Sequence, residues 1–294
     1  MTTHNRFVRH GDSFAASFAV PLTAALGIVG LFMLAAAPAR AQWLNVPEEA
    51  APRTADGKID LEAPPPRLAN GRIDLRGIWM PNDNRYIRDM ALDIGDDNVP
   101  YRPWAKRLFD ERKTGEHSAE DPDAHCLPQG VPKIDWVSYP WKLVETPNSV
   151  VIVYETFTFW RQIFTDGREL DPHAKPAWMG YSTGRWDGDT FVVTTTGFNG
   201  KAWLDQLGRP TTDQLTVTER FTRTHYGHME IAVTIDDPGA YTAPWHATQV
   251  VHLRPGWEPL EFICLENNRD IDHLPGGEYG LTNIEAARQK GYLE

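Results

Sequence analysis

The chain has 294 residues, 29 basic and 40 acidic side chains, and a net charge of −11 with histidines neutral. That acidity argues against nucleic acid and anionic membrane surfaces as partners. Hydrophobic residues make up 41%, enough for a full core, and two cysteines are too few for a disulfide-dense or Cys-rich zinc scaffold.

Residues 1–41 read as an export signal. Arg6, Arg9 and His10 form a basic start, Ala19 to Ala37 is apolar, and Ala39-Arg40-Ala41 is an A-x-A site directing cleavage before Gln42. The apolar run is also long enough to serve as an uncleaved anchor; the cleavage site favours removal. The expected location is the periplasm or the exterior, with no membrane partner after cleavage. In an oxidising compartment Cys126 and Cys264 are expected to pair, a catalytic thiol being the alternative.

Residues 42–73 form a Pro-rich extended lead-in with an internal echo. Pro52 to Leu61 (PRTADGKIDL) is repeated as Pro66 to Leu75 (PRLANGRIDL), and each copy holds an Asp-Gly or Asn-Gly turn. Two copies cannot build a solenoid. The lead-in reads as a linker ahead of a barrel domain over 74–294.

The first strand is expected at Asp74 to Trp79. A helix follows at Pro103 to Lys113, with Pro in its first turn and Gly115 beyond it. Asp121 to Pro132 is a loop holding Cys126. From Lys142 a β-meander is expected: Val150 to Glu155 against Phe159 to Phe164, then a turn at Thr165 to Arg168. A hairpin over 178–198 follows, closed by Asp187-Gly188, which pairs Trp186 with Asp189, Gly184 with Phe191 and Ser182 with Val193. The Asp-Gly-Asp triplet is turn chemistry rather than a calcium or catalytic site.

Leu215 to Arg223 and Met229 to Asp236 are joined at His225-Tyr226-Gly227, which sets Phe221 opposite Ile231 and Val217 opposite Ile235, with Gly227 suited to a left-handed position. Ala247 to Leu253 then pairs with Leu260 to Cys264. Thr282 to Glu285 is a capping box opening a short helix that Gly291 stops. About nine strands in sequential order predict a mainly β fold, a single antiparallel up-and-down barrel or strongly curved sheet, with a sandwich as the alternative.

Several motifs occur in order: Asp-Leu-x-Gly-x-Trp at 74–79, Cys-Leu-Pro-x-Gly-x-Pro at 126–132, Asp-Gly-Arg at 166–168, Trp-x-Gly-x-Ser-x-Gly-x-Trp-x-Gly-Asp-Thr at 178–190, Thr-Glu-Arg at 218–220 and Cys-x-Glu-Asn-Asn at 264–268. Together they resemble a group of exported bacterial proteins over nearly the whole mature chain; the resemblance implies no activity. Gly77-x-Trp79 and the meander resemble calycin (lipocalin-like) barrels, which include small-molecule carriers and a few cofactor-free enzymes. That likeness implies architecture, with the Trp plugging one end.

Candidate chemistry lies on the strands and one loop. Glu155, following Val151 and Val153, is expected to face inward opposite Arg161, as a carboxylate held by a guanidinium or as an ion pair fixing register. Glu219, alternating with Val217 and Phe221, is a second inward carboxylate, so a dyad with Glu155 is conceivable. His173 sits in a loop before Trp178, where Asp166 could orient it for acid/base work. Its plain reading is a surface histidine. Trp178, Tyr181, Trp245 and Asn267 are the candidate ligand contacts.

His225 and His228 flank a tight turn, His246 and His252 are too far apart along one strand to chelate, and no paired-Cys or H-x-x-x-H spacing occurs, so no metal is expected. No phosphate loop, nucleophile elbow or dinucleotide fingerprint is present, so no organic cofactor is expected. The sequence predicts a cofactor-free lyase, hydratase or isomerase acting on a small, largely apolar or aromatic molecule. The alternative is a non-catalytic binding or carrier protein, or, more plainly, a structural envelope module.

Overall fold

A computed structural model describes residues 50–266, 268–269 and 281–294. Asn267, the signal segment 1–41 and its cleavage site lie outside the described residues. Residues 44–294 form one compact unit.

Nine strands close into a barrel in chain order. They are β1 (Gly77–Pro81), β2 (Trp141–Glu145), β3 (Ser149–Tyr154), β4 (Trp160–Phe164), β5 (Tyr181–Asp187), β6 (Thr190–Thr196), β7 (Thr216–His225), β8 (His228–Asp236) and β9 (Trp245–Leu253). β1 closes the barrel on β9 through Trp79 opposite Leu253. The expected mainly β barrel is therefore present, with one change. β4 and β5 run parallel, with Ile163 opposite Ser182 and Phe164 opposite Thr183. Parity requires this: strand direction flips at every antiparallel contact, and a ring of nine cannot flip nine times and close. Residues 165–180 make the return path that a parallel pair needs.

Alternation drives the barrel closed. In β7 and β8 the buried positions Val217, Glu219, Phe221, Met229, Ile231, Val233 and Ile235 point inward while their neighbours face out. Val217 pairs with Ile235 and Phe221 with Ile231, as the hydrophobic pattern requires, and the register shifts only between Arg223 and His225. Gly227 is not left-handed; a side chain there would collide with Leu61, so close approach of the lead-in explains the glycine.

In the β5–β6 hairpin the turn is centred one residue later than expected. Asp187 pairs with Thr190 and Gly184 with Val193, and Gly188 at φ +60° takes the first central position, as a II′ turn requires. This is a two-residue slip in register, so every side chain keeps its face. Phe191 still covers Gly184, where any Cβ would run into the ring. Residues 260–264 are not a strand; this segment carries Cys264 to Cys126, and the disulfide joins residues 138 apart in sequence.

The lead-in is built as a repeat. Arg53 bridges Ile59 and Arg67 bridges Ile73. In each copy the arginine donates to the glycine carbonyl, Arg53 to Gly57 at 2.8 Å and Arg67 to Gly71 at 2.7 Å. It lies on the barrel rather than running free: Arg67 pairs with Asp189 and Arg72 with Glu145, and the Arg72 guanidinium stacks 4.7 Å from the Trp186 ring.

The two barrel ends are closed differently. At one end Trp79 is fully buried, donates through Nε1 to Leu75 O at 2.9 Å, and lies under the Arg223 guanidinium at 4.9 Å. The Gly-x-Trp segment thus plugs this end. At the other end, the long β1–β2 connection folds over the loops that follow β6 and β8. It includes α1 (Arg85–Arg88) and α2 (Pro103–Arg112). Arg102 N donates to Ala240 O and Gln206 N to Ile87 O. Arg209, fully buried, ties the same region together through Asp205, Asp89 and Asp96. The terminal helix α3 (Asn283–Gln289) carries the capping box of Thr282 and Glu285, and Asn283 donates to the carbonyls of Gly200, Ala202 and Thr211. Among the described residues, no helix is long and apolar enough to cross a membrane.

Candidate functional site

Two places are candidates for function: a charged cluster in the barrel interior beneath the β1–β2 connection, and a cation-lined hollow at the Trp79 end.

The interior cluster is centred on Arg161 of β4. Its guanidinium bonds Glu219 of β7, reaches Asp135 Oδ2 at 3.2 Å and Thr195 Oγ1 at 2.8 Å, and its Nε meets Ser182 Oγ at 3.1 Å. Ser182 and Thr195 bond each other at 2.9 Å. Tyr154 OH donates to Asp135 Oδ1 at 2.6 Å. Arg161 is 3% exposed, and Asp135 and Glu219 are both fully enclosed. The strands deliver these side chains because 154, 161, 182, 195 and 219 are all inward positions. Asp135 instead enters from the short helical turn Lys133–Trp136 of the β1–β2 connection.

Two carboxyls face one guanidinium here, and both cannot stay ionised cheaply in an apolar interior. Burial, followed by the charge of Glu219, pushes the Asp135 carboxyl well above the usual carboxylate range. That shift favours the protonated form of Asp135 beside Glu219. Burial likewise raises the Tyr154 hydroxyl, with the Asp135 charge adding to it. Arg161 is raised despite its burial, because Glu219 and Asp135 sit against it. The set is one guanidinium facing two carboxyls, with a neutral phenol beside them.

The sequence placed Arg161 and Glu219 in the interior, and both are there. It paired Arg161 with Glu155, and that pairing does not form: Arg161 lies opposite Ile152. β3 ends at Tyr154, so Glu155 shares the outer face of Val151 and Val153, and its carboxylate accepts Leu260 N–H at 2.9 Å. The acid partner of Glu219 is Asp135, which no periodic pattern could flag.

His173 is exposed in the return path, and Asp166 is engaged by Arg168 instead of orienting it. Tyr181 is half-buried with its hydroxyl on Lys175 O, and Trp178, just before it, is half-buried too. Trp245 is a core residue, 3% exposed, edge-on to Tyr241 at 5.6 Å. None of these joins the cluster.

The hollow at the Trp79 end has a volume of about 420 Å³ and is lined by Arg76, Arg223, Arg254, Lys142, Tyr226 and Trp257 among others. Two of its cations are already matched: Arg76 by Asp74 at 2.6 Å and Lys142 by Glu258 at 2.7 Å. Arg223 and Arg254 have no carboxylate at salt-bridge distance among the described residues. Arg223 spends its donors on the carbonyls of Asp74, His225 and Tyr226, and burial pulls it down to about 10. Arg254 donates to Asn82 Oδ1 at 2.8 Å while its buried Nε has no acceptor, and burial lowers it as well. Trp257, 43% exposed, offers a flat apolar wall. The sequence reading missed this hollow. Its signal was Arg254 and Trp257 flanking Pro255-Gly256 directly after the last strand.

Comparison of the chain with known protein families, with curated proteins and with solved structures finds no match.

Proposed function

We propose that this is an exported binding protein, delivered to the periplasm or exterior by cleavage after Ala41, that holds a small aromatic carboxylate in the hollow at the Trp79 end. The observation that supports this reading is the pair of guanidiniums, Arg223 and Arg254, that share one hollow and lack carboxylate partners among the described residues. A desolvated guanidinium is disfavoured as a cation until an anion meets it, and a planar carboxylate matches its donor fork. Trp257 and Tyr226 supply flat surface for a ring, and the volume suits a small ligand. The disulfide accords with an oxidising compartment. The likeness to calycin carriers rests on architecture and is consistent with this reading.

The test is calorimetric titration of the mature protein with benzoate, phenylacetate and indole-3-acetate, against benzamide as the uncharged control. Saturable binding of a carboxylate, lost in Arg254→Ala and absent with the amide, is the expected result. Equal binding of acid and amide would remove the guanidinium from the argument.

A second reading, the cofactor-free acid/base enzyme, is favoured by one observation: two fully buried carboxyls, Asp135 and Glu219, meet on Arg161, an arrangement suited to giving and taking a proton. It requires substrate to enter beneath the β1–β2 connection. Exchange of a substrate C–H proton for deuterium, abolished in Glu219→Gln with the fold intact, would support it.

A further inference from the structure

We infer that the β7–β8 turn and the lead-in build a surface site for one divalent late-transition-metal ion, ligated by Glu62, His225 and His228. The barrel register produces the arrangement. His225 on β7 pairs with His228 on β8, and His228 pairs with His252 on β9. Three imidazoles therefore stand side by side on the outer face of three adjacent strands. The rings of His225 and His228 lie 5.7 Å apart, and those of His228 and His252 4.9 Å apart.

Glu62 comes to this row from a segment more than 160 residues earlier, and its placement is not casual. Tyr226 N donates to Ala63 O at 2.7 Å and Gly227 N to Leu61 O at 2.8 Å. The two residues flanking Glu62 are thus pinned to the turn that carries both histidines. Gly227 is needed so that Leu61 can approach. The ligand atoms of Glu62, His225 and His228 all fall within 4.8 Å of one another, and His228 Nε2 stands 3.2 Å from Glu62 Oε1. Two ligands on a tetrahedral ion at ordinary Zn–N and Zn–O bond lengths are about 3.4 Å apart. The Glu62–His228 edge already has that spacing, and His225, exposed at the turn, needs only side-chain rotation to complete the triangle.

Nδ1 of His225 lies 3.3 Å from Thr224 Oγ1. His252, packed on His228, is the third imidazole of the row. The two imidazole donors suit zinc, copper and nickel over calcium and magnesium; by the general order of affinities Cu²⁺ binds tightest. Met80 on β1, directly across from His252, extends the row with a thioether and points the same way. This site is independent of the carboxylate reading of the hollow.

The experiment is competitive titration of the tag-free mature protein with Cu²⁺ and with Zn²⁺ against a chelator of known affinity, together with electron paramagnetic resonance of the copper form. The expected result is one equivalent bound, nitrogen coupling from at least two imidazoles, and Cu²⁺ preferred to Zn²⁺. His225→Ala and Glu62→Gln should each weaken binding at least about tenfold, judging from the 10–100-fold typical of even outer-shell changes. His225 and Glu62 are exposed, so neither variant should threaten folding, which circular dichroism verifies. His246→Ala, elsewhere on β9, should leave affinity unchanged. Binding that is substoichiometric, that lacks nitrogen coupling, or that is equally strong in His225→Ala and Glu62→Gln would overturn the site.

Discussion

Replacing Glu219 by Gln and Asp135 by Asn should have unequal effects, although both carboxyls touch the same guanidinium. The raised Asp135 carboxyl favours its neutral form, and an amide is close to that form in shape and charge. In Asp135→Asn the new side chain keeps an oxygen to accept from Tyr154, while its NH2 replaces the oxygen that accepts from Arg161, so one hydrogen bond is lost. The expected cost is about 1 kcal/mol or less, the scale of one adjusted hydrogen bond. Glu219→Gln instead removes the carboxyl bonded directly to Arg161 and leaves that guanidinium, 3% exposed, facing only the raised Asp135. Breaking a buried pair in this way costs about 3–5 kcal/mol. For a chain of this size each kcal/mol moves the melting midpoint by roughly 2–4 °C, so the two variants should differ by roughly 6 °C or more. Urea and thermal unfolding followed by tryptophan fluorescence read this directly. Equal losses, or a larger loss in Asp135→Asn, would refute the charge assignment.

The same assignment fixes a pH dependence. Asp135 has a folded pKa above its ordinary value of 3.8, so the folded state holds its proton longer than the unfolded state. Its contribution to stability is complete below about pH 4 and is lost as pH rises through the raised value. Stability measured across this range should fall relative to Asp135→Asn as pH increases, and parallel curves for the two proteins would contradict it. Gly184→Ala should cost about 1–3 kcal/mol by overpacking, because the added methyl meets Phe191 and Ile163; an unchanged unfolding midpoint would count against the packing described. Reduction of Cys126–Cys264 should lower stability by at most about 4–5 kcal/mol in the chain-entropy account, and thiol titration of the unfolded, unreduced protein should find no free cysteine. Arg67→Ala removes a solvent-screened pair with Asp189 and should leave the unfolding midpoint essentially unchanged.

The barrel was legible because inward and outward residues alternate strictly along β7 and β8, and a one-residue slip there would expose Phe221 and Ile231. That is why the Val217–Ile235 register could be read directly. In β5–β6 the same alternation is blind to a slip of two, and the turn shifted from Asp187-Gly188 to Gly188-Asp189 without moving any side chain to the other face. Glu155 was misplaced for the opposite reason. β3 ends one residue early, and the turn over 155–159 offsets Arg161 by three positions, which reverses the face of its supposed partner. Asp135 had no periodic signal at all: it sits in a short helical turn of a long connection, and only the closed barrel shows what it touches. The His225–His228–His252 row depends on strand pairing across two hairpins, so local spacing could not show it. An odd ring needs a parallel contact, but its place at β4–β5 depends on the long return over 165–180, which no strand pattern reveals.

The most direct test of the proposed function is native mass spectrometry of the protein recovered from the exported fraction of its own host. The account predicts an added anionic mass on the wild-type chain that is absent from Arg254→Ala and still present on Asp135→Asn. An added mass that survives Arg254→Ala but is lost from a correctly folded interior variant would contradict it, and would move the binding site from the hollow into the barrel.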